Sequence, residues 1–266
     1  MDLVLGVGIL CMLLIIIQPT TSSPFSYSGS TGPDRWASLS PDYVLCSTGR
    51  AQSPVNLAAR LTPVNPNLKA LDIQFQDSVN ATLVNNGYNV QLSYGGEGGG
   101  VLKLNGTKYS LKQLHWHSPS EHQVFRVSFV AEVHLVYNTP NYTVAVVSII
   151  LRSGQRDPLI ATVEQELSGL PMKLLGQDPP EVALGDINGL QNELRKLTNT
   201  NRYYTYKGSL TTPPCTEDVT WIVIGKYGTI SNDQVQLLKR PLDNESKNNA
   251  RPLQPLNGRR VEAYQA

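Results

Sequence analysis

Apolar, β-branched and aromatic residues are concentrated in four segments of the chain, 107–117, 127–137, 143–151 and 219–226, and this composition predicts β-strands. Apolar residues that recur three and four positions apart, the pattern of a helix, are confined mainly to 158–167 and 189–197. Asn188 or Asp186 is the expected N-cap of the second helix. Gly and Pro are spread throughout and separate many short segments. The pattern therefore predicts a mainly β domain with a few peripheral helices.

The first 23 residues differ from the rest of the chain. An almost wholly apolar run from Leu3 to Ile17 is followed by small and polar residues, as in a secretory signal peptide, although Asp2 stands where a basic residue is usual. A retained membrane anchor would need about 18 or more apolar residues, which this run does not reach. We expect cleavage near Ser22 or Ser23, which leaves 24–266 as one domain without a stable membrane anchor.

Composition narrows the possible partners and the compartment. A net charge of +1 gives no reason to expect nucleic acid or an anionic membrane as a partner. Cleavage would remove Cys11 and leave Cys46 and Cys215, an even pair that predicts one disulfide in an oxidising compartment; two free buried thiols are the alternative. Candidate N-glycosylation sequons, each a weak motif alone, begin at Asn80, Asn105, Asn141 and Asn244.

All four histidines of the chain, His115, His117, His122 and His134, fall within a window of 20 residues. His115 and His117 lie two apart in a predicted strand, so their side chains leave the same face. The next predicted strand carries Glu132 and His134 on one face. Three imidazoles with one open position are typical of a catalytic zinc site, whereas a single histidine is more often a hydrogen-bonded structural residue. Spacing alone leaves His122 open as the third ligand.

The segment 115–121 also fits the H-x-H-x₃-E core of a cupin metal site. That motif expects glycine where this chain has Tyr109 and Ser128, and its second half needs a histidine after His134, where none follows. The cupin interpretation is therefore disfavoured.

Seven motifs in order carry a resemblance to a known family. They are Phe25-Ser-Tyr27 with Gly32-Pro-Asp-Arg-Trp36, Gln52-Ser-Pro-Val-Asn56, Asn85-Asn-Gly87, Gln113-Leu-His-Trp-His-Ser-Pro-Ser-Glu-His122, Ala131-Glu-Val-His-Leu-Val136, Tyr206-Lys-Gly-Ser-Leu-Thr-Thr-Pro-Pro214 with Trp221, and Asn249-Ala-Arg-Pro-Leu-Gln254. Over nearly the whole mature chain the sequence resembles the α-class carbonic anhydrases, particularly the plant-type members.

This resemblance implies a zinc (Zn2+) enzyme that interconverts CO2 and bicarbonate. The implied fold is a single domain around a ten-stranded, mostly antiparallel sheet. His115, His117 and His134 become the implied zinc ligands, and His122 becomes a structural residue. Cys46 and Cys215 fall where extracellular members of the family place their disulfide.

The resemblance also implies roles for residues around the metal. Thr211 and Glu121 would orient the attacking nucleophile, and Thr212 would place bicarbonate. The residues implied to hold the zinc ligands are Gln113, Asn249 through its backbone, and Glu132. Those implied to form the apolar wall for CO2 are Val136, Val146, Leu210, Val219 and Trp221. Those implied to order a water chain are Tyr27, Asn86 and Tyr206.

The chain departs from the family pattern at Tyr88, which stands where efficient members have a histidine that passes protons to buffer. A phenol with an ordinary pKa near 10 exchanges protons poorly at neutral pH, so we expect slow turnover that small buffers restore. Phe125-Arg126 replaces a glycine-containing turn, a change expected to alter the loop and not the metal. The alternative is a weakly catalytic or non-catalytic storage or defence protein. The leader favours secretion, with the chloroplast reached through the secretory route as the alternative.

Overall fold

The computed structural model describes residues 25–77, 79–96, 98–174, 177–185 and 187–266. The predicted signal peptide, its cleavage site and Asp186 lie outside the described residues. The strands are β1 (Asn56–Leu57), β2 (Asp72–Phe75), β3 (Ala81–Asn85), β4 (Val90–Tyr94), β5 (Gly100–Leu104), β6 (Thr107–His117), β7 (Gln123–Val124), β8 (Ala131–Asn138), β9 (Val144–Ser153), β10 (Glu181–Leu184), β11 (Arg202–Ser209), β12 (Glu217–Ile224), β13 (Gly228–Ile230) and β14 (Glu262–Gln265). The α-helices are α1 (Trp36–Leu39), α2 (Leu45–Thr48), α3 (Pro158–Ala161), α4 (Glu164–Gly169), α5 (Asn188–Thr198) and α6 (Asn232–Lys239), and 3₁₀ turns cover Gly29–Thr31, Pro33–Arg35, Pro41–Tyr43, Ala59–Leu61 and Asn244–Ser246.

One mixed sheet dominates the described part of the chain. Its main path runs β10-β3-β4-β6-β8-β9-β12-β11-β14, and β2, β5 and β13 bring the sheet to twelve strands rather than the expected ten. Most pairs are antiparallel, but β9 runs parallel to both β12 and β13. The remaining strands, β1 and β7, form a separate parallel pair. The predicted mainly β fold with a few peripheral helices is confirmed.

Each face of the sheet packs against a different core because side chains alternate along each strand. Along β8, Val133 and Leu135 point into the larger core, which α5 and α6 help to cover. His134 and Val136 point to the opposite face, where a smaller cluster includes Val136 and Trp221. The histidine face and the main core face are therefore distinct surfaces of one sheet.

The structure corrects several predicted boundaries. Segment 158–167 holds two short helices, α3 and α4, separated at Thr162-Val163. The N-cap prediction at Asn188 is wrong, because Asn188 is the first helical residue and Ile187 occupies the cap position without a side-chain cap. The sequence analysis missed α6, although Ser231 and Gln234 form a capping box, a signature that is readable in the sequence.

The turn that precedes β8 explains why this strand begins at Ala131 and not at 127. Phe125 and Arg126 are the two central residues of a tight turn whose ends are joined by hydrogen bonds between Val124 and Val127. Both have positive φ, 52° and 63°, the backbone region that favours glycine in such turns. The change from the glycine-containing turn therefore lies in this connection, outside the histidine cluster.

Cys46 and Cys215 form a disulfide, which confirms their predicted pairing. The asparagines of all four candidate sequons, at 80, 105, 141 and 244, are exposed. Within the described ranges, no helix has both the length and the apolar character needed to cross a bilayer.

Candidate metal centre

Two neighbouring strands bring three histidines together. β6 and β8 run antiparallel, with His115 directly opposite His134 and His117 opposite Glu132. One ligand nitrogen from each of His115, His117 and His134 lies within 4.8 Å of the others, and all three side chains are buried. The register of the two strands therefore brings together three histidines that lie within 20 residues of one another in the sequence.

Each imidazole uses one ring nitrogen for a hydrogen bond, so the other nitrogen faces the cluster. The pairs are His115 Nδ1–H to Gln113 Oε1 at 2.8 Å, His117 Nδ1–H to the Asn249 carbonyl at 2.5 Å, and His134 Nε2–H to Glu132 Oε1 at 2.8 Å. Since those three partners are acceptors, the three remaining nitrogens carry lone pairs. The predicted partners Gln113, Asn249 and Glu132 thus lie where the proposed ligands need orienting groups.

The chemistry of this donor set fits zinc. Burial lowers the pKa of all three histidines, that of His117 to about 4 and that of His115 well below its ordinary value. The imidazoles are therefore neutral at pH 7, as a metal ligand must be. His117 Nε2 is also fully buried and has no hydrogen-bond partner among the described residues. Three neutral nitrogens match the catalytic type of zinc site, and the described residues add no fourth ligand atom to this group.

Glu121 is a buried carboxyl group at the edge of this cluster. Its Oε1 accepts the Arg251 backbone N–H at 2.9 Å, and its Oε2 lies 3.6 Å from His117 Nε2. Burial raises the pKa of Glu121 to about 7, while His134 and Thr211 favour the ionised form. Thr211 is near enough to act on this pKa, but no hydrogen bond of ordinary geometry joins it to Glu121 Oε2 within the described chain. The side chains of Thr211 and Glu121 thus lie next to each other, and Glu121 Oε2 is left as an available acceptor for the Thr211 hydroxyl.

Both ring nitrogens of His122 are hydrogen-bonded, so His122 is not available as a metal ligand. Its backbone N–H and Nδ1–H donate to Glu132 at 2.8 and 2.6 Å, and its Nε2 accepts the Tyr206 hydroxyl at 2.7 Å. Glu132 also accepts the Ser148 hydroxyl at 2.5 Å. Although His122, Glu132 and His134 form a second compact group, their atoms are already hydrogen-bonded to one another. The structure thus separates His122 from the three converging histidines, which spacing could not do.

The residues expected to form the apolar wall, Val136, Val146, Leu210, Val219 and Trp221, belong to one cluster. Val146 pairs with Val136 on one side and with Trp221 on the other, and the Trp221 ring centroid is 4.9 Å from that of His134. An apolar surface therefore borders the histidines. Thr212, half-buried, follows Thr211 in the turn that Cys215 closes by donating its N–H to the Thr212 carbonyl.

The predicted water-chain residues Tyr27, Asn86 and Tyr206 lie in different surroundings, and Tyr88 lies near the first of them. Tyr88 is half-buried, 4.6 Å from the Phe25 ring, and burial raises its pKa above 10. Tyr27 is buried in the same aromatic cluster, and Asn86 donates to Gln91 at 3.2 Å. Tyr206 instead lies behind the centre, bonded to His122.

Arg251 has a role that sequence reasoning missed. Its buried guanidinium donates to Gln52 Oε1 and to the carbonyls of Ser53 and Cys46, while its backbone N–H holds Glu121. Arg251 stands 130 positions after Glu121, so no local spacing signals their contact.

Comparison with known proteins identifies the family. Residues 31–265 match the family model of the eukaryotic-type carbonic anhydrases. The chain belongs to the carbonic anhydrase family. Alpha carbonic anhydrase 7 of Arabidopsis thaliana is 38% identical over 239 residues, which cover 88% of this chain and 81% of that protein.

Other similar proteins carry the name dioscorin. Dioscorin DB3L of Dioscorea polystachya is 38% identical over 242 residues, covering 90% of this chain and 86% of that protein. The crystal structure of dioscorin complexed with ascorbate matches with a TM-score of 0.81 at 35% identity, covering 91% of this chain and 98% of that chain. The carbonic anhydrase fold is therefore shared with relatives under both names.

Proposed function

We propose that this carbonic anhydrase family member catalyses zinc-dependent, reversible hydration of CO2 to bicarbonate and a proton. The observation that carries the proposal is the convergence of three neutral imidazoles, each oriented by its own hydrogen bond. His115, His117 and His134 would hold the metal. Zinc, when bound, supplies a Lewis acid that makes a water nucleophilic near neutral pH.

The surrounding residues prepare the substrates. Once Thr211 donates its hydroxyl hydrogen to Glu121, the Thr211 oxygen can only accept, and this fixes the orientation of a group that donates to it. Val136, Val146 and Trp221 provide an apolar surface that suits CO2 and disfavours water. Thr212 offers a hydroxyl to bicarbonate beside Thr211. Glu121 in its ionised form remains the acceptor that this arrangement requires.

Export of the proton limits this reaction in our proposal. Tyr88 is half-buried at the position where the family resemblance expects the proton-shuttle histidine, and its raised pKa keeps the phenol protonated at neutral pH. Packing against Phe25 further restricts the ring. All four histidines are buried, so none of them is available to exchange protons with solvent.

Stopped-flow CO2 hydration on zinc-quantified protein tests the proposal at low and high imidazole concentration. We expect modest turnover that rises steeply with imidazole, and Tyr88→His should recover the rate without added buffer. Tyr142→His is the matched control, because Tyr142 is 83% exposed elsewhere on the surface and should leave the rate unchanged. Stoichiometric zinc with no hydration at any imidazole concentration would refute the enzyme assignment.

A second candidate is a storage or defence protein with little catalysis. The likeness to dioscorin favours it, since a dioscorin structure matches over 91% of this chain. The presence of the three histidines together with Thr211 and Glu121 supports the enzyme instead. Turnover per bound zinc distinguishes the two functions, because a storage protein needs no catalytic turnover.

We also propose that the protein is secreted after removal of residues 1–23 and carries N-linked glycans. The Cys46–Cys215 disulfide and the four exposed sequon asparagines support an oxidising export route. Sequencing the N-terminus of the protein recovered outside plant cells should begin near Pro24, and peptide glycosidase treatment should lower its mass. Recovery from chloroplasts with the same processed N-terminus would favour the plastid route.

A further inference from the structure

The sheet face opposite the metal centre contains an open groove of about 1010 Å³. Strands β11 and β12 form its floor, residues 68–72 and 103–107 form one wall, and residues 259–262 form the other. Thr220 and Ile222 line the groove, whereas Val219 and Trp221, which alternate with them, belong to the cluster beside the histidines. The sheet therefore separates the groove from the metal centre, except at Tyr206, which lines the groove and also hydrogen-bonds to His122.

The floor of the groove combines buried apolar residues with the polar Thr205, Lys207 and Thr220, and one wall is partly apolar. Tyr203 and Ile222 on the floor are part of the main core, and Leu71 and Leu104 on the wall are partly buried against it. Tyr203 also stacks on Tyr264, with the ring centroids 5.1 Å apart and the rings 17° from parallel. Tyr203 and Ile222 are only 4% and 1% exposed, so the apolar surface that a ligand can reach is that of the partly buried Leu71 and Leu104.

The rim of the groove is basic. The cationic side chains that line it are Lys69, Lys103, Lys207, Arg259 and Arg260, against the two carboxylates of Asp72 and Glu262. The groove therefore carries a net charge of +3, although the whole chain carries only +1. Lys103 pairs with Asp72 at 3.0 Å, but Lys69 and Arg260 are exposed and have no ion-pair partner among the described residues.

We propose that this groove binds a small organic anion with a planar apolar body, such as an aromatic carboxylate or sulfonate. The ring system would rest against Leu71 and Leu104, and the acidic group would face Lys69 and Arg260. Ligand sites of this size typically combine an apolar lining with a few polar groups that fix orientation. Bicarbonate lacks the apolar surface that Leu71 and Leu104 would bury, so the site is distinct from that of the proposed reaction.

Fluorescence titration with 8-anilinonaphthalene-1-sulfonate, an aromatic sulfonate, tests the proposal on the folded zinc protein. The charge reversal Lys69→Glu/Arg260→Glu should weaken dye binding by about tenfold or more, and added salt should weaken binding to the wild type. The dye should also raise the melting temperature of the wild type, as a ligand of the folded state does. Hydrogen exchange should slow at 103–107 and 259–262.

Two controls isolate the groove. Arg126→Glu/Arg152→Glu changes the net charge equally at exposed residues outside the groove and should alter dye affinity by less than about twofold. Removal of zinc with a chelator should likewise leave the affinity within about twofold, because the metal centre lies across the sheet. If the reversal variant does not fold, Lys69→Gln/Arg260→Gln should weaken binding in the same direction by a smaller factor.

Three results would overturn the proposal. The first is equal weakening by both charge reversals, which would show unspecific attraction. The second is loss of dye binding on zinc removal, which would place the dye at the metal centre. The third is no dye binding by the wild type together with a dimer that the groove reversal dissociates, which would make the groove a contact between copies of this chain.

Discussion

At the residue scale, the property that matters most in the candidate metal centre is that the two nitrogens of each imidazole have different roles. One nitrogen donates to a fixed acceptor, and this sets the tautomer and the ring orientation. The other nitrogen keeps a lone pair in a buried environment that opposes protonation. A zinc ion would supply the missing partner of three such nitrogens at once, so the orienting groups would matter almost as much as the ligands.

Replacing Gln113 by leucine should weaken zinc binding about 10- to 100-fold, because His115 would lose the acceptor that orients it. The measurement is a competition titration against a chromophoric zinc chelator. Gln91→Leu is the matched control: Gln91 lies opposite His115 in the β4–β6 register but bonds to Asn86 and Ser93. An unchanged affinity in the Gln113 variant would show that this hydrogen bond does not tune the site.

At the element scale, the buried side chain of Gln234 links the start of helix α6 to the start of helix α3. Gln234 completes the capping box with Ser231, and its amide also pairs with both the N–H and the carbonyl of Asp157, at 2.7 and 2.9 Å. Asp157 in turn caps α3 by accepting the Ile160 N–H. One glutamine thus connects the starts of two helices that lie about 75 residues apart in the chain.

Substitution of Gln234 by alanine should lower the free energy of unfolding by about 2–4 kcal/mol, since it removes the acceptor of the Ser231 N–H in the capping box and leaves the N–H and carbonyl of Asp157 without partners. Urea denaturation measures the change. Gln236→Ala, an exposed glutamine in the same helix, should cost less than about 0.5 kcal/mol. Equal effects of the two substitutions would mean that the contact with Asp157 contributes nothing.

The disulfide acts on the turn that carries Thr211 and Thr212. Cys215 closes this turn, and its carbonyl accepts the Gln52 side chain at 3.0 Å. Replacing Cys46 and Cys215 together by alanine should cost about 2–5 kcal/mol of stability. Thermal unfolding with and without reductant gives the measurement: reductant should lower the melting temperature of the wild type and leave that of the variant unchanged. A reductant effect of equal size in both would contradict the assignment.

At the scale of the whole molecule, the mixed sheet separates two surfaces. One face holds the histidines and their apolar wall, and the other holds the main core and the basic groove. Strand alternation makes this separation possible, because consecutive residues of one strand serve different faces. The stability of the fold and the chemistry of the site are still coupled, since buried titratable groups contribute to both.

Acid should destabilise the zinc-free protein. The lowered pKa values of His115, His117 and His134 mean that the unfolded chain binds protons below about pH 6.5 that the folded chain does not, so stability falls with pH. Glu121 and Asp157, with pKa values raised to about 7 and about 6, act in the opposite direction, because their folded forms bind protons first. Three groups outweigh two between about pH 5 and 6.

We therefore expect the free energy of unfolding of the zinc-free protein to decrease by roughly 1.4 kcal/mol per pH unit as the pH falls across that window. Urea titrations at several pH values provide the measurement, and His117→Gln should flatten the slope. A stability that rises on acidification would show that the two carboxyls dominate. With zinc present the loss should be steeper, since protons also compete with the metal.

Local pattern and residue count go far for this protein. Enrichment in β-branched and aromatic residues predicted the strands at 107–117 and 143–151 almost to the residue, since such composition is a property of a few neighbouring residues. The pairing of Cys46 with Cys215 followed from an even count. Element ends were less well predicted: β8 starts late because Phe125-Arg126 forms a tight turn, and α5 starts at Asn188 without a side-chain cap.

The sequence by itself determined which chemistry is available: four clustered histidines, a strand pattern that puts two of them on one face, and two cysteines after residue 23. Tertiary structure alone decided how that chemistry is arranged. Register placed His115 against His134 and turned His122 toward Glu132 and Tyr206. The physical reason is that side-chain alternation is local, whereas convergence depends on sheet register and on loop closure across more than a hundred residues, as in the contact of Arg251 with Glu121.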